Sequence, residues 1–359
     1  MDIALFAASA LVGRFYLTTS AAASSKRGNK ASMSTVVTWE LLQQQNAETS
    51  SALIDHYAQS PAFAKLSQYE GDLTLQRDQE DDAKLQVGID FAKEKGVIDP
   101  AFVPEPYVQI DVLGKSPADV AALILQHVQS GTSDSNVIVI VGLSGTGKGT
   151  TVSVLRHILE QDQGKRVVTW SNGNIFRSVT LLAATWCEQT FGKEAGFLSE
   201  KTLIKENLAT FMKMLSFGKR PDSGVYDTRI QGLGLDLYVT DVQNTTLKTP
   251  VVSKNIPTVA QATQGEVILF AADAVQRMSQ DGIFVLLEGR EQTVNYVRTP
   301  YRFQLVLSDP SLIGKRRAAQ RLMGAVFQNL SSSSSSAPTV AQVEQAMDAA
   351  LAKMVQEIH

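Results

Sequence analysis

Apolar residues in this chain recur in two rhythms. Val137 to Val141 is an unbroken β-branched run, which predicts a strand buried on both faces in a parallel sheet. Short apolar runs at Arg166–Trp170, Gly282–Leu287 and Tyr301–Leu307 predict three more strands, and Tyr107–Leu113 a further one. Elsewhere apolar positions return every third or fourth residue. Gly149–Glu160 reads as an amphipathic helix with Val152, Leu155, Ile158 and Leu159 on one side. Ser116-Pro117-Ala118-Asp119 is a capping box with proline at the first helical position, predicting a helix through Val128. Further helices are predicted after Ser171–Arg177, from Asp309-Pro310-Ser311 onward, and over Ala341–Ile358. Strands alternating with helices predict an α/β fold built on a parallel sheet flanked by helices.

From Val36 to about Gly96 the pattern is helical but polar, with Leu41, Leu42, Leu53, Ile54 and Tyr57 near helical spacing. Arg77–Lys84 (RDQEDDAK) reads as a solvated helix face or linker rather than a binding site. Pro100, Pro104 and Pro106 then break the chain. No chemistry is read in this part, so residues 36–130 are expected to be a mainly helical extension, an accessory layer or an oligomer contact. Residues 131–359 are expected to form the sheet domain, with a small insert at about 220–255 and a flexible serine tract at Ser331–Ser336.

Residues 1–35 read differently. Ala4–Val12 is too short to span a bilayer, and Arg14, Lys26, Arg27 and Lys30 follow with no acid between Asp2 and Glu40. That composition predicts a transit peptide or cleaved signal, with a plain disordered tail or a start at Met33 as alternatives, so the expected compartment is cytoplasmic or organellar. Composition narrows the remaining classes. A net charge of −3 over 359 residues provides no basic footprint for nucleic acid, and no other segment is apolar enough to be a membrane span. Neither partner is expected. The single cysteine, Cys187, excludes an intramolecular disulfide and fits a small apolar filler on a helix. The four histidines are scattered without metal-ligand spacing.

The chemistry begins where the first strand ends. Gly142-Leu143-Ser144-Gly145-Thr146-Gly147-Lys148 follows Val141 directly and leads into the helix at Gly149. Strand, glycine turn, lysine and helix are the context that makes a phosphate-binding loop credible. The glycines let successive N–H groups point inward, the helix start adds positive potential, and Lys148 supplies a mobile cation. Gly142, Ser144, Gly145, Thr146, Gly147, Lys148, Gly149 and Thr150 are therefore the candidate triphosphate-binding residues. Ser171–Arg177 (SNGNIFR) exits another strand and should face the loop, with Arg177 as a phosphate clamp. The third strand ends in Glu288-Gly289-Arg290-Glu291, an acid suited to magnesium through water and a guanidinium suited to transferring phosphate. Lys315, Arg316, Arg317 and Arg321 lie on the helix after the fourth strand, as a lid or a solvated charged face.

Five segments in this order resemble one family, the bacterial-type cytidylate kinases: GLSGTGKGT (142–150), SNGNIFR (171–177), LYVTDVQNTTLKTPVVSKNIPTVA (237–260), LLEGREQTV (286–294) and LVLSDPSLIGKRRAAQRL (305–322). The Lys-Gly-Thr ending at Lys148–Thr150 is shared with nucleoside monophosphate kinases. The resemblance implies a P-loop NTPase-type fold with a substrate-binding insert, and phosphoryl transfer from ATP to CMP or dCMP with Mg²⁺. It implies Lys148, Arg290 and Arg317 as catalytic, Asn172, Gly173, Arg177, Arg290 and Glu291 as monophosphate-binding, and Thr150 and Glu288 as magnesium positions reached through water. The chain departs from the family at Asn172, Phe176 and Glu291, lacks a basic residue over Gln261–Ala272, and shortens the region after Leu322. The donor half of the site is therefore expected to be fuller than the acceptor half. A kinase with another acceptor, or a nucleotide-binding pseudoenzyme using its N-terminal region as a platform, are the alternatives.

Overall fold

The computed structural model describes residues 36–131, 133–331 and 337–358. The expected leader (1–35) and all but the first residue of the serine tract lie outside them. The described chain divides into two compact units, one of residues 64–318 and one joining residues 36–63 to 319–357.

In chain order the elements begin with α1 (Trp39–Gln44), α2 (Ala47–His56), α3 (Pro61–Glu94), β1 (Val108–Asp111) and α4 (Pro117–Ser130). β2 (Val137–Gly142), α5 (Lys148–His157), β3 (Val167–Trp170) and α6 (Asn172–Phe191) follow. Next come α7 (Ser199–Thr202), α8 (Lys205–Lys213), β4 (Leu215–Lys219), β5 (Tyr226–Gly232), β6 (Leu235–Tyr238), α9 (Val239–Val242) and α10 (Pro250–Gln280). The last are β7 (Phe284–Glu288), α11 (Glu291–Val294), β8 (Arg302–Val306), α12 (Ser311–Ser331) and α13 (Val340–Gln356).

The larger unit is an α/β layer structure. Five parallel strands lie in the order β1-β8-β2-β7-β3, so β2 is central. Its unbroken apolar run has a direct cause. Val137, Val139 and Val141 belong to the core shared with α6 and α10, while Ile138 and Ile140 belong to the opposite core with Ile124, Leu155 and Phe303. Both faces are covered, so no position on β2 can be polar. The expected capping box forms at α4, where the Asp119 amide donates to Ser116 Oγ (3.2 Å) and the Ser116 amide donates to Asp119 Oδ2 (2.9 Å).

The sequence places residues 36–130 in an accessory helical region, yet β1 pairs with β8 in register Val108↔Phe303 to Asp111↔Val306. α4 buries Val120, Ala121, Ile124 and Leu125 in the same core as Ile138 and Ile140. The residues before the loop thus supply an edge strand and its covering helix. The insert is a three-stranded antiparallel sheet, β4-β5-β6, slightly upstream of the expected bounds. Cys187 is buried on α6, as expected.

The smaller unit is helical. Trp39 stacks on Phe327 (ring centroids 5.5 Å), Tyr57 stacks on Phe63 (5.6 Å), and the Tyr57 hydroxyl donates to Asp348 Oδ1 (2.8 Å). Leu42, Leu53, Val343, Met347 and Leu351 are buried. Among the described residues no helix is long and apolar enough to cross a membrane.

Candidate functional site

The glycine turn occupies the carboxyl end of the central strand. Gly142 closes β2 at φ 147°, and a Cβ there would overlap the Leu305 carbonyl oxygen of β8. Gly147 caps α5 at φ 87°, ψ 19°, a left-handed conformation that spares the chain a side-chain penalty. Thr146, buried in the turn, donates its hydroxyl to the Leu143 carbonyl (2.8 Å) and ties the loop to itself. The first amides of α5 have no carbonyl partners within the helix, so the turn presents a concave set of N–H groups.

Cations gather around this turn. Lys148 Nζ donates to the Gly142 and Leu143 carbonyls (2.7 and 3.0 Å). Burial lowers its amine below the usual lysine range, and the adjacent charge of Arg290 adds to the effect. Glu288 and Asp78 oppose that shift, while Arg317 reinforces it, which puts all four charges within electrostatic reach of Lys148. Arg316 reaches over from α12 and donates to the Gly145 carbonyl (2.9 Å). Burial holds its guanidinium below the usual range.

The tip of β7 stands beside the loop because β7 pairs with β2 in register Ile140↔Glu288. Glu288 Oε2 is buried without a hydrogen-bond partner and lies 3.7 Å from where a Cβ on Gly149 would be. An orphaned buried carboxylate oxygen facing a helix start suits a cation or a water held by one. Among the described residues no group of three or more His, Cys, Asp or Glu side chains forms a metal cluster, and a magnesium ion needs only one or two protein oxygens when phosphates supply the rest. Glu288 and the exposed Thr150 therefore fit a water-mediated magnesium position.

A correction concerns the acidic stretch on α3. The sequence predicts Arg77–Lys84 to be solvated, but Asp78 is only 3% exposed and accepts from Ser144 of the loop. Its Oδ2 accepts from the Ser144 amide and its Oδ1 from the Ser144 hydroxyl, both at 2.7 Å. Arg290 Nη2 donates to the same Oδ1 at 2.6 Å, with Asp81 and Asp82 each 3.5 Å from that guanidinium. Burial works to raise the Asp78 carboxyl, but the Ser144 and Arg290 donors outweigh it and hold it below the usual range. Asp82 goes the other way: burial and its neighbours Asp78 and Asp81 raise it despite Arg290. In the structure Asp78 lies at helical spacing from the buried Ser67, Thr74 and Ile89, on the inward stripe of α3.

The predicted acceptor side is less complete. Asn172 is buried, its Oδ1 accepting from Trp170 Nε1 (2.8 Å) and its Nδ2 donating to the Thr293 carbonyl (3.5 Å). It braces the turn rather than facing a cleft. The Arg177 guanidinium lies over Gly173 and donates to Asn174 Oδ1 (3.4 Å), and Asn174 in turn donates to Gln243 (3.1 Å), a contact that sequence reasoning missed. Glu291 is exposed at the start of α11. Arg321 falls in the smaller unit, where it pairs with Glu357 at 3.4 Å. A cavity of about 410 Å³ opens next to the loop, walled by Gly142, Thr146, Arg290, Leu305, Pro310 and Ile313.

No family model, curated protein or solved structure matches the chain. The glycine turn, the half-buried Lys148, Arg290, Arg316 and Arg317 and the unpaired Glu288 oxygen stand together at the carboxyl end of the central strand.

Proposed function

We propose that the protein is a P-loop phosphotransferase of the nucleoside monophosphate kinase type, carrying the γ-phosphoryl group of ATP to CMP or dCMP. The observation that carries this reading is the register Ile140↔Glu288, which sets the acid at the tip of β7, and Arg290 just after it, beside Lys148 and the glycine turn that follows β2. A glycine turn alone is a common loop; paired with that strand tip it has the parts that phosphoryl transfer requires.

In this reading the loop amides and Lys148 hold the β- and γ-phosphates. The cavity beside Leu305, Pro310 and Ile313 gives apolar room for the donor base. Arg290, Arg316 and Arg317 neutralise charge as the bond from the γ-phosphorus to the bridging oxygen breaks. The new bond forms to an oxygen of the acceptor's phosphate, on the side of Arg177. Glu288 and Thr150 would hold a magnesium ion through water, and its charge would stabilise the triphosphate. The protein does little covalent work; alignment and neutralisation supply the rate.

A coupled assay of ATP consumption with CMP, dCMP, UMP and AMP tests this. The expected result is turnover with CMP or dCMP, falling by roughly 10²–10³ in Lys148→Ala, the usual cost of deleting one preorganised charge donor. Absence of turnover above the Lys148→Ala control with all four would remove the reading. A second reading, a kinase whose acceptor has changed, is favoured by one observation: both polar atoms of the Asn172 side chain are committed to Trp170 and Thr293. Turnover with UMP or AMP in preference to CMP would select it.

A further inference from the structure

The acidic face of α3 does something that neither the fold nor the proposed chemistry requires. Asp78, Asp81 and Asp82 project from one side of the helix at spacings of three and four residues, and all three face the Arg290 guanidinium. Asp78 also takes both donors of Ser144 inside the glycine turn. One carboxylate thus receives a loop N–H, a loop hydroxyl and a guanidinium, the donor set that a phosphoryl group would need at this place. The helix is held close from below. Gly71 of α3 faces Gly314 of α12, and a Cβ on Gly314 would overlap the Ser67 carbonyl oxygen, so the two helices approach with no side chain between them. Asp78 is nearly solvent-free, which an aspartate tolerates only with full compensation by partners.

We infer that α3 is a built-in competitor for the phosphate seat, and that a nucleoside triphosphate must displace the Asp78 carboxylate from Ser144 and Arg290 in order to bind. The inference rests on the proposed function, because it regulates the same site. It makes the chain self-restrained: the apparent affinity of a triphosphate is reduced by the fraction of molecules in which the carboxylate is seated. Anything that draws α3 away from the loop opens the site.

The alternative role for Asp78 is positioning, in which it holds Arg290 and Ser144 ready for the ligand. The two roles predict opposite signs. Calorimetric titration of the full chain with Mg·ATP, and separately with inorganic tripolyphosphate, distinguishes them. As a competitor, Asp78→Asn should tighten both ligands by about tenfold, the factor expected when nine molecules in ten are closed. As a positioning residue it should weaken both, and that result, or an unchanged affinity, overturns the inference while leaving Lys148-dependent ATP binding intact. If neither the unsubstituted protein nor Asp78→Asn binds either ligand, the phosphate-seat reading fails and the competitor falls with it. A measurement on the unsubstituted chain covers the case of a poorly folded variant. Hydrogen exchange of residues 74–84 should speed up at saturating Mg·ATP as the helix is displaced, and slower or unchanged exchange there overturns the inference.

Discussion

Two buried charges illustrate how much a single side chain can decide. Arg302 of β8 is fully buried and, among the described residues, has no carboxylate partner; it donates to the Val297 carbonyl (2.8 Å), the Val294 carbonyl (3.2 Å) and Asn295 Oδ1 (2.9 Å). Those acceptors lie at the end of α11 and in the turn after it, so the guanidinium fork fastens the segment that follows Arg290 to the sheet. Arg302→Ala should cost about 3–5 kcal/mol in chemical denaturation, since it strands several buried acceptors at once. Lysine should not rescue it, because one ammonium cannot span the fork. Asp78 and Asp82 carry the second expectation. The Asp78 carboxyl is held low, so the stability it adds is present above the unfolded carboxylate range and is lost only as pH falls through its lower folded value. Its contact with the loop should therefore persist from pH 8 down past about pH 4, the usual aspartate range. Asp82 is raised, so its ionisation works against the fold at neutral pH, and Asp82→Asn should leave the melting temperature unchanged or higher. Carboxyl NMR should see Asp82 take up its proton before Asp78 does. The positions of Lys148 just past a buried strand and of Glu288 at a strand end are legible in the sequence because each directly follows an apolar run. The seating of Asp78 could not be read that way, since a contact 66 residues apart leaves no local pattern.

At the scale of elements, α3 and α12 cross where Gly71 meets Gly314. Gly314→Ala should push the two helices apart and cost about 1–3 kcal/mol, the usual range for overpacking, measurable by chemical denaturation. The strands β2, β3, β7 and β8 fall where apolar runs place them, with ends shifted by one or two residues. α13 likewise follows its periodicity, and Thr339 and Gln342 form the reciprocal cap that starts it. α3 defeated the same reasoning. Its buried stripe includes Ser67, Thr74 and Asp78, and polar residues at core-facing positions erase the amphipathic signal that marks a packed helix. In the turn after β3, Asn172, placed by motif position on the acceptor side, accepts from the Trp170 indole.

For the molecule as a whole, the division into two units sets where a ligand should be felt. Mg·ATP at a hundred times its dissociation constant stabilises whatever binds it by about 2.7 kcal/mol. Hydrogen exchange should show that gain as protection over residues 142–151 and 284–290 of the sheet unit, and none over residues 340–356 of the helical one. Protection confined to the latter would place the ligand elsewhere. The least legible feature at this scale was strand order, because pairing between β1 and β8 joins residues nearly two hundred positions apart. That pairing also bears on how the chain matures as it leaves the ribosome. β1 emerges early and has no sheet partner until β8 follows, and β2 gains its two neighbours only when β7 and β8 are made. The β-branched run that ends in the loop is thus paired late, through contacts distant in sequence, which slows completion of the sheet.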